Sequence, residues 1–393
     1  MTLPPTAPLT TAGPGAMGPP DWSAGSLASV LPAVADRLGI IRYAAADPFG
    51  LPPARRTVVV LVDGLGFDLL RRRSGHAPFL RGQLSRATRI PCGFPTTTAT
   101  SMGSFGTGLP PGAHGLVGFC VLDPDTDRLL NELSWEDGPD PVRWQPSETV
   151  FEQAELAGVS VTRIGPGFFD GSGLTNAALR GGRFTAAQSL PDRVEAALAA
   201  VRAARRSLVY LYWGDVDKVG HVHGCESWQW GDELEAVDRA LAMLVDRVPD
   251  DTSVVITADH GMVDVPFDVR LDLAHEPALM DGIRHLGGEP RSLQLYLEHG
   301  ASAAVASAWR ERLGKRATVM TRAEAVDAGW FGPVRPEVLA RIGDLVVNME
   351  GSFAVVHSGL MRPEVVALLG VHGSTSEAEL AIPVIALAPR SGS

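Results

Sequence analysis

The chain has 393 residues, enough for two or three average domains or for one large α/β domain carrying insertions. Its 45% hydrophobic and 20% charged content excludes wholesale disorder. A formal net charge of −11 argues against nucleic acid or an anionic membrane as the main partner.

Residues 1–22 hold six prolines among Thr, Gly and Ala, the expected composition of a flexible N-terminal segment, with residues 23–393 forming the body. No basic residue precedes Arg37, so no signal peptide is recognisable, and no apolar run approaches the ~18 residues of a membrane helix. Cys92, Cys120 and Cys225 cannot form a fully paired disulfide framework and show no metal-type spacing. A cytoplasmic protein without a membrane partner is the expectation.

Ser26 to Leu38 places Leu27, Val30, Leu31, Val34 and Leu38 at helical spacing. Val58–Val62 is a β-branched run that suits a strand buried on both faces, and it leads into Asp63. A second strand is expected at Ala87–Pro91. The Thr-rich turn Thr96-Thr97-Thr98-Ala99-Thr100-Ser101 follows it and opens a helix that ends near Thr107-Gly108. Residues 120–190 are rich in Asp, Pro, Gly and Trp and are expected, with parts of 265–350, to be insertions capping one end of a sheet. Helices are expected at Pro191–Arg205 and Glu233–Val248. Strands are expected at Leu208–Trp213, Val254–Ala258 and Ile382–Leu387. Strands alternating with helices predict an α/β fold with a mostly parallel central sheet flanked by helices.

Three of these strands run into acids: Asp63, then Asp215 and Asp217, then Asp259. Ligands of open parallel sheets bind beyond the carboxyl ends of the strands. Three carboxylates on one rim repel each other unless cations neutralise them. His221 follows Asp217 by four residues, one helical turn, and His260 adjoins Asp259. Mixed carboxylate and imidazole ligands favour zinc, with manganese or iron as alternatives, over magnesium or calcium. A hydroxyl at a helix N-terminus meets free N–H groups and the positive end of the helix dipole, a setting suited to phosphate. Beside a divalent cation such a hydroxyl becomes a nucleophile.

In chain order the segments VLVDG, PTTTATSMGSFGTGLPPGAHG, DVDKVGH, ADHGM and VHGS resemble the nucleotide pyrophosphatase/phosphodiesterase (type I phosphodiesterase) family of the alkaline phosphatase superfamily, from about Val58 to Leu387. The resemblance implies two Zn2+ per chain, one held by Asp63, Thr98, Asp259 and His260 and the other by Asp217, His221 and His372. It also implies hydrolysis of phosphodiester or phosphoanhydride bonds in a small phosphate-ester substrate through a phospho-threonine intermediate. The resemblance implies Thr98 as the nucleophile, since it stands nine residues before Thr107-Gly108, the spacing that family shows; Thr96 and Thr97 remain open.

Two departures bear on the substrate. Ala99 stands directly after the nucleophile, where nucleotide-cleaving members often carry Phe. Phe119, five residues after His114, stands where they carry a phosphoryl-binding Asn. The segment Pro91-Cys92-Gly93-Phe94-Pro95 lacks the CxPxR context of sulfatases. The rival readings are a phosphomonoesterase, a phosphonate hydrolase or a phosphomutase of the same superfamily, an inert metal-binding scaffold, and a purely structural α/β domain.

Overall fold

A computed structural model describes residues 17–390 apart from Ser23. Most of the expected flexible segment, residues 1–16, lies outside the described residues. Of the rest, Met17 N donates to Thr375 O and Trp22 Nε1 to Gly329 O.

Seven strands form the central sheet: β1 (Arg56–Val62), β2 (Thr88–Pro91), β3 (Ser160–Gly165), β4 (Arg183–Ala186), β5 (Ser207–Trp213), β6 (Thr252–Thr257) and β7 (Ala381–Leu387). Their order is β2-β7-β6-β1-β5-β3-β4. The pairs β6–β1, β1–β5, β5–β3 and β3–β4 are parallel, and β7 runs antiparallel to both its neighbours. The central strands are buried along nearly their whole length, as unbroken Val/Ile/Leu runs require of a sheet covered on both faces. Pro383 sits where β7 pairs with β2 alone, so its missing N–H leaves the β6 ladder intact.

Five helices matter below: α1 (Val30–Arg37), α2 (Thr98–Thr107), α3 (Leu190–Ala203), α4 (Asp215–His223) and α5 (Trp228–Arg247). The predicted helix over Ser26–Leu38 divides into a 3-10 turn, Leu27–Ser29, and then α1. Pro32, which has no N–H, falls in the first turn of α1, where that donor has no intrahelical partner anyway. α3 packs across β5, β3 and β1, and α5 packs against α3. No helix among the described residues is long and apolar enough to cross a membrane.

The segment 120–190 does not behave as a single insertion. Its first part is a hairpin, Cys120–Asp123 with Arg128–Asn131, outside the central sheet; its later part supplies β3 and β4, the far edge of that sheet. β4 is an edge strand with no fully buried residue, so it lacks the apolar run that marks the inner strands. Within 265–350, strands Ile283–Glu289, Ser292–Leu297, Leu345–Met349 and Ala317–Thr321 form a separate antiparallel sheet in that order. It has its own core, which includes Leu293, Leu295, Trp309 and Val347. The two-residue turn Pro290-Arg291 of its first hairpin points back at the central sheet. There Arg291 makes a fully buried two-pronged ion pair with Glu379.

Candidate metal and hydrolytic site

Parallel register brings the carboxyl ends of β6, β1 and β5 together, with Leu61 beside Thr257 and Val62 beside Trp213. The chain beyond each end delivers Asp259, Asp63 and, through the first turn of α4, Asp217. Gly64 permits the close approach: its φ is +73°, and a Cβ there would lie 2.9 Å from the Cα of Asp217. Its N–H donates to Asp259 Oδ1 at 3.1 Å.

The six sequence-predicted acids and imidazoles fall into two groups, Asp63 with Asp259 and His260, and Asp217 with His221 and His372. Within each, the ligand atoms lie within 4.8 Å of one another. The groups adjoin: the His260 and His372 rings stack with centroids 3.8 Å apart, and His372 Nε2 is 3.8 Å from Asp217 Oδ1. Asp217 and His221 share one face of α4 and approach to 3.1 Å.

Hydrogen bonding orients all three rings alike. The Nδ1 atoms of His221, His372 and His260 face the carbonyl oxygens of Gly370 (2.7 Å), Thr96 (2.7 Å) and Gly261 (3.0 Å). A carbonyl only accepts, so each Nδ1 donates and each Nε2 is turned toward the acids. This is how protein carbonyls hold metal-ligating histidines.

Asp63 Oδ1, Asp217 Oδ1 and Asp259 Oδ2 are buried with no hydrogen-bond partner. Burial, with the charges of Asp259 and Asp217, raises the Asp63 carboxyl well above its ordinary range. Burial raises Asp259 too, although His260 opposes the shift. Burial acts the same way on Asp217, but His221, His372 and His260 outweigh it and hold that carboxyl low. Burial and the neighbouring imidazole His260 push His372 down, keeping it neutral. Three carboxylate oxygens without hydrogen-bond partners, gathered with three imidazole nitrogens, form a donor set that suits divalent cations.

Thr98 opens α2, and its Oγ1 lies 3.2 Å from His260 Nε2. Ser101 Oγ, one turn on, donates to Asp259 O and ties the helix to the same loop. The neighbouring threonines are engaged elsewhere. Thr96 Oγ1 donates to Ser374 O and accepts from Gly373 N, and Thr97 hydrogen-bonds Glu289.

A cavity of about 540 Å3 opens from Asp63, Thr98, Asp217, His221 and His372. Phe119 lines it together with Phe168, Phe169, Phe184, Tyr210 and Tyr212. Ala99 is fully buried in the protein core and is not part of this wall.

Three lining residues escaped the sequence reading. Tyr212 donates its hydroxyl to Asp63 Oδ2; with Tyr210 it alternates along β5, a period-two signal present in the sequence but without a partner to interpret it. Glu289, buried and raised well above its usual range chiefly by burial, comes from the antiparallel sheet, so nothing local to it marks the site. Arg163 comes from β3, which the sequence left inside the insertion.

The family model of type I phosphodiesterase/nucleotide pyrophosphatase matches residues 57–375. An uncharacterised pyrophosphatase/phosphodiesterase of Schizosaccharomyces pombe is 27% identical over 216 residues, 52% of this chain and 44% of the relative. The chain thus spans less than half of that relative's length. Among solved structures, an inactive threonine-to-alanine variant of murine ectonucleotide pyrophosphatase/phosphodiesterase 5 in complex with AMP superposes with a TM-score of 0.69 at 19% identity, over 85% of this chain and 88% of that one. Phosphonoacetate hydrolase of Sinorhizobium meliloti in complex with phosphonoacetate gives 0.65 at 20% identity, over 86% and 91%. Both likenesses speak to the fold, whose parallel sheet and flanking helices match.

Proposed function

The chain belongs to the type I phosphodiesterase/nucleotide pyrophosphatase family, and on that footing we propose that it is a two-zinc hydrolase of phosphodiester or phosphoanhydride bonds working through a phospho-threonine intermediate. The observation that carries this reading is the Thr98 hydroxyl, 3.2 Å from His260 at the start of α2 and open to the cavity. Asp63, Thr98, Asp259 and His260 would hold one ion, and Asp217, His221 and His372 the other; zinc, or manganese or iron in its place, would supply Lewis acidity and ease deprotonation of a bound hydroxyl.

The chain's own part follows from position. Thr98 Oγ1 forms a bond to phosphorus while the bond to the leaving oxygen breaks, and water then releases the phosphoryl group and restores the hydroxyl. Free N–H groups in the first turn of α2 and the positive end of its dipole face the phosphoryl oxygens. Tyr212 fixes the orientation of Asp63 through its hydroxyl. The inactive threonine-to-alanine relative that binds AMP supports a threonine in this role.

Substrate class follows from the wall. Phe119 cannot donate to a phosphoryl oxygen, but its ring offers a face to an organic substituent. A small dianion such as phosphonoacetate would leave most of the 540 Å3 cavity unfilled, which favours a diester or anhydride with a sizeable second group. The test is a hydrolysis panel with metal-reconstituted protein: a nitrophenyl monoester, a bis-nitrophenyl diester, a dinucleotide and a nucleoside triphosphate. Diester or anhydride cleavage is expected to exceed monoester cleavage in kcat/KM. A wide preference for the simple monoester would overturn the assignment of substrate class.

A further inference from the structure

One wall of the cavity carries a cation that the hydrolytic chemistry does not use. Arg163 of β3 lies opposite Tyr210 of β5 on one side and Phe184 of β4 on the other, so the three side chains share one face of the sheet. Tyr210 shares that face with Tyr212, whose hydroxyl reaches Asp63. All four residues line the cavity. Strand spacing puts the Cα of Arg163 about 8 Å from that of Tyr212, two residues down and one strand across. Arg163 is therefore rooted further from the carboxyl ends of the strands than Tyr212, and its guanidinium lies 5.7 Å from the centroid of the Phe184 ring.

Its charge is not matched locally. Among the described residues Arg163 makes no ion pair: its Nη2 donates to Gly182 O at 3.4 Å, and its Nε is buried without a partner. Asp170 and Glu155 influence it only from beyond ion-pair distance. The buried arginines elsewhere are built in: Arg291 pairs with Glu379, and Arg193 bonds three carbonyls. Arg335 and Arg341 also leave Nε unpartnered, but neither lines this cavity. A half-buried guanidinium whose Nη1 is neither hydrogen-bonded nor buried, set among aromatic rings, is a receptor for an anionic oxygen group.

We propose that Arg163 is a specificity residue that binds a second anionic group, a carboxylate or a terminal phosphate, at the far end of the substrate's organic substituent. This deepens the proposed function, on which it rests: the preferred substrate is a phosphodiester whose second ester group is apolar along its length and anionic at its tip. The rings accept the apolar portion and Arg163 the tip, so the length between phosphorus and the distal anion is selected.

The test uses nitrophenyl phosphodiesters whose other ester group is phenyl, naphthyl or biphenyl, each neutral, carboxylate-tipped or phosphate-tipped. For at least one length the wild-type enzyme is expected to favour a charged member over its neutral parent by tenfold or more in kcat/KM. Arg163→Met, which keeps the apolar stem, should lower that charged substrate at least tenfold and the neutral one less than twofold; Arg163→Lys should keep part of the preference. The better of the two tips identifies the anion.

Calorimetric binding of the corresponding arylcarboxylates and aryl phosphates, measured beside thermal midpoints, separates this inference from the reading beneath it. If no diester is cleaved, the hydrolase reading fails, yet a tenfold weaker affinity of Arg163→Met for a charged aryl probe would still sustain the anion site. Charged and neutral compounds behaving alike in wild type, or falling together in Arg163→Met, would overturn the proposal.

Discussion

Replacing Glu379 by alanine is expected to destabilise the protein by about 3–5 kcal/mol, because it strands a buried guanidinium. Both members of the Arg291–Glu379 pair are fully buried. Glu379 Oε1 accepts from Arg291 Nε at 3.1 Å and Ser374 N at 3.0 Å; Oε2 accepts from Arg291 Nη2 at 2.7 Å and from the Ser376 hydroxyl. Without them Arg291 keeps only the carbonyls of Gly351 and Phe353, neither of which neutralises its charge. The loss is a large fraction of the ~5–15 kcal/mol that holds a typical native protein together. The pair also braces the site, since the backbone carbonyl of Glu379 accepts from Gly261 N, beside His260, and its carboxylate holds Ser374 N, two residues beyond His372.

The assay is urea unfolding of metal-stripped protein, so that metal linkage does not enter, on Glu379→Ala, Arg291→Met and Arg291→Met/Glu379→Ala. The double variant removes both charges and should cost at least ~2 kcal/mol less than the sum of the singles, since residues in direct contact are coupled. Single-variant costs below about 1 kcal/mol, or strict additivity, would refute the reasoning.

Thr98→Ala should abolish turnover while leaving metal content largely intact, whereas Thr96→Ala and Thr97→Ala should be milder; retained activity in Thr98→Ala with loss in Thr97→Ala would move the nucleophile by one residue. Elemental analysis of protein purified without chelator should find close to two zinc-like ions per chain, and magnesium alone would contradict the mixed acid–imidazole donor set. Phe119→Asn should shift the kcat/KM ratio toward monoesters or nucleotides by restoring a donor in the wall, which the same substrate panel reads directly. Burial, with the nearby Arg335 and Arg341 charges, lowers the pKa of His114 from 6.5 to about 3. The unfolded imidazole therefore binds a proton that the folded one refuses, and the stability present above pH 6.5 is lost as pH falls toward 3. By pH 5 this one group accounts for about 2 kcal/mol. His114→Asn, which keeps an acceptor for the Leu116 N–H, should flatten that slope in unfolding experiments, and an unchanged slope would exclude His114 as its source.

Much of the site was legible from the chain alone because its signals are local. Asp63 and Asp259 each end an apolar run, and Asp217 and His221 stand one helical turn apart, so strand and helix geometry bring each pair into view without knowledge of the rest. The parallel α/β architecture follows for the same reason, since inner strands buried on both faces cannot hide their hydrophobic runs. His372 was different: as a single histidine between glycines it drew its meaning from a family resemblance, and its Nδ1 contact with Thr96 joins residues 276 positions apart.

Apart from Phe119, the cavity wall belongs to the tertiary structure. Arg163, Tyr210 and Phe184 become neighbours only through the register of β3 with β5 and β4, and an exposed edge strand such as β4 carries no hydrophobic signature to announce that pairing. Glu289 reaches the cavity from a separate antiparallel sheet, and Arg291, in the turn of that sheet's first hairpin, meets Glu379 across 88 residues. Sequence patterns record which face of an element is buried, whereas contacts between elements depend on how distant faces are matched. The acid–imidazole clusters lie largely at the first level, and the cavity wall, Phe119 apart, at the second.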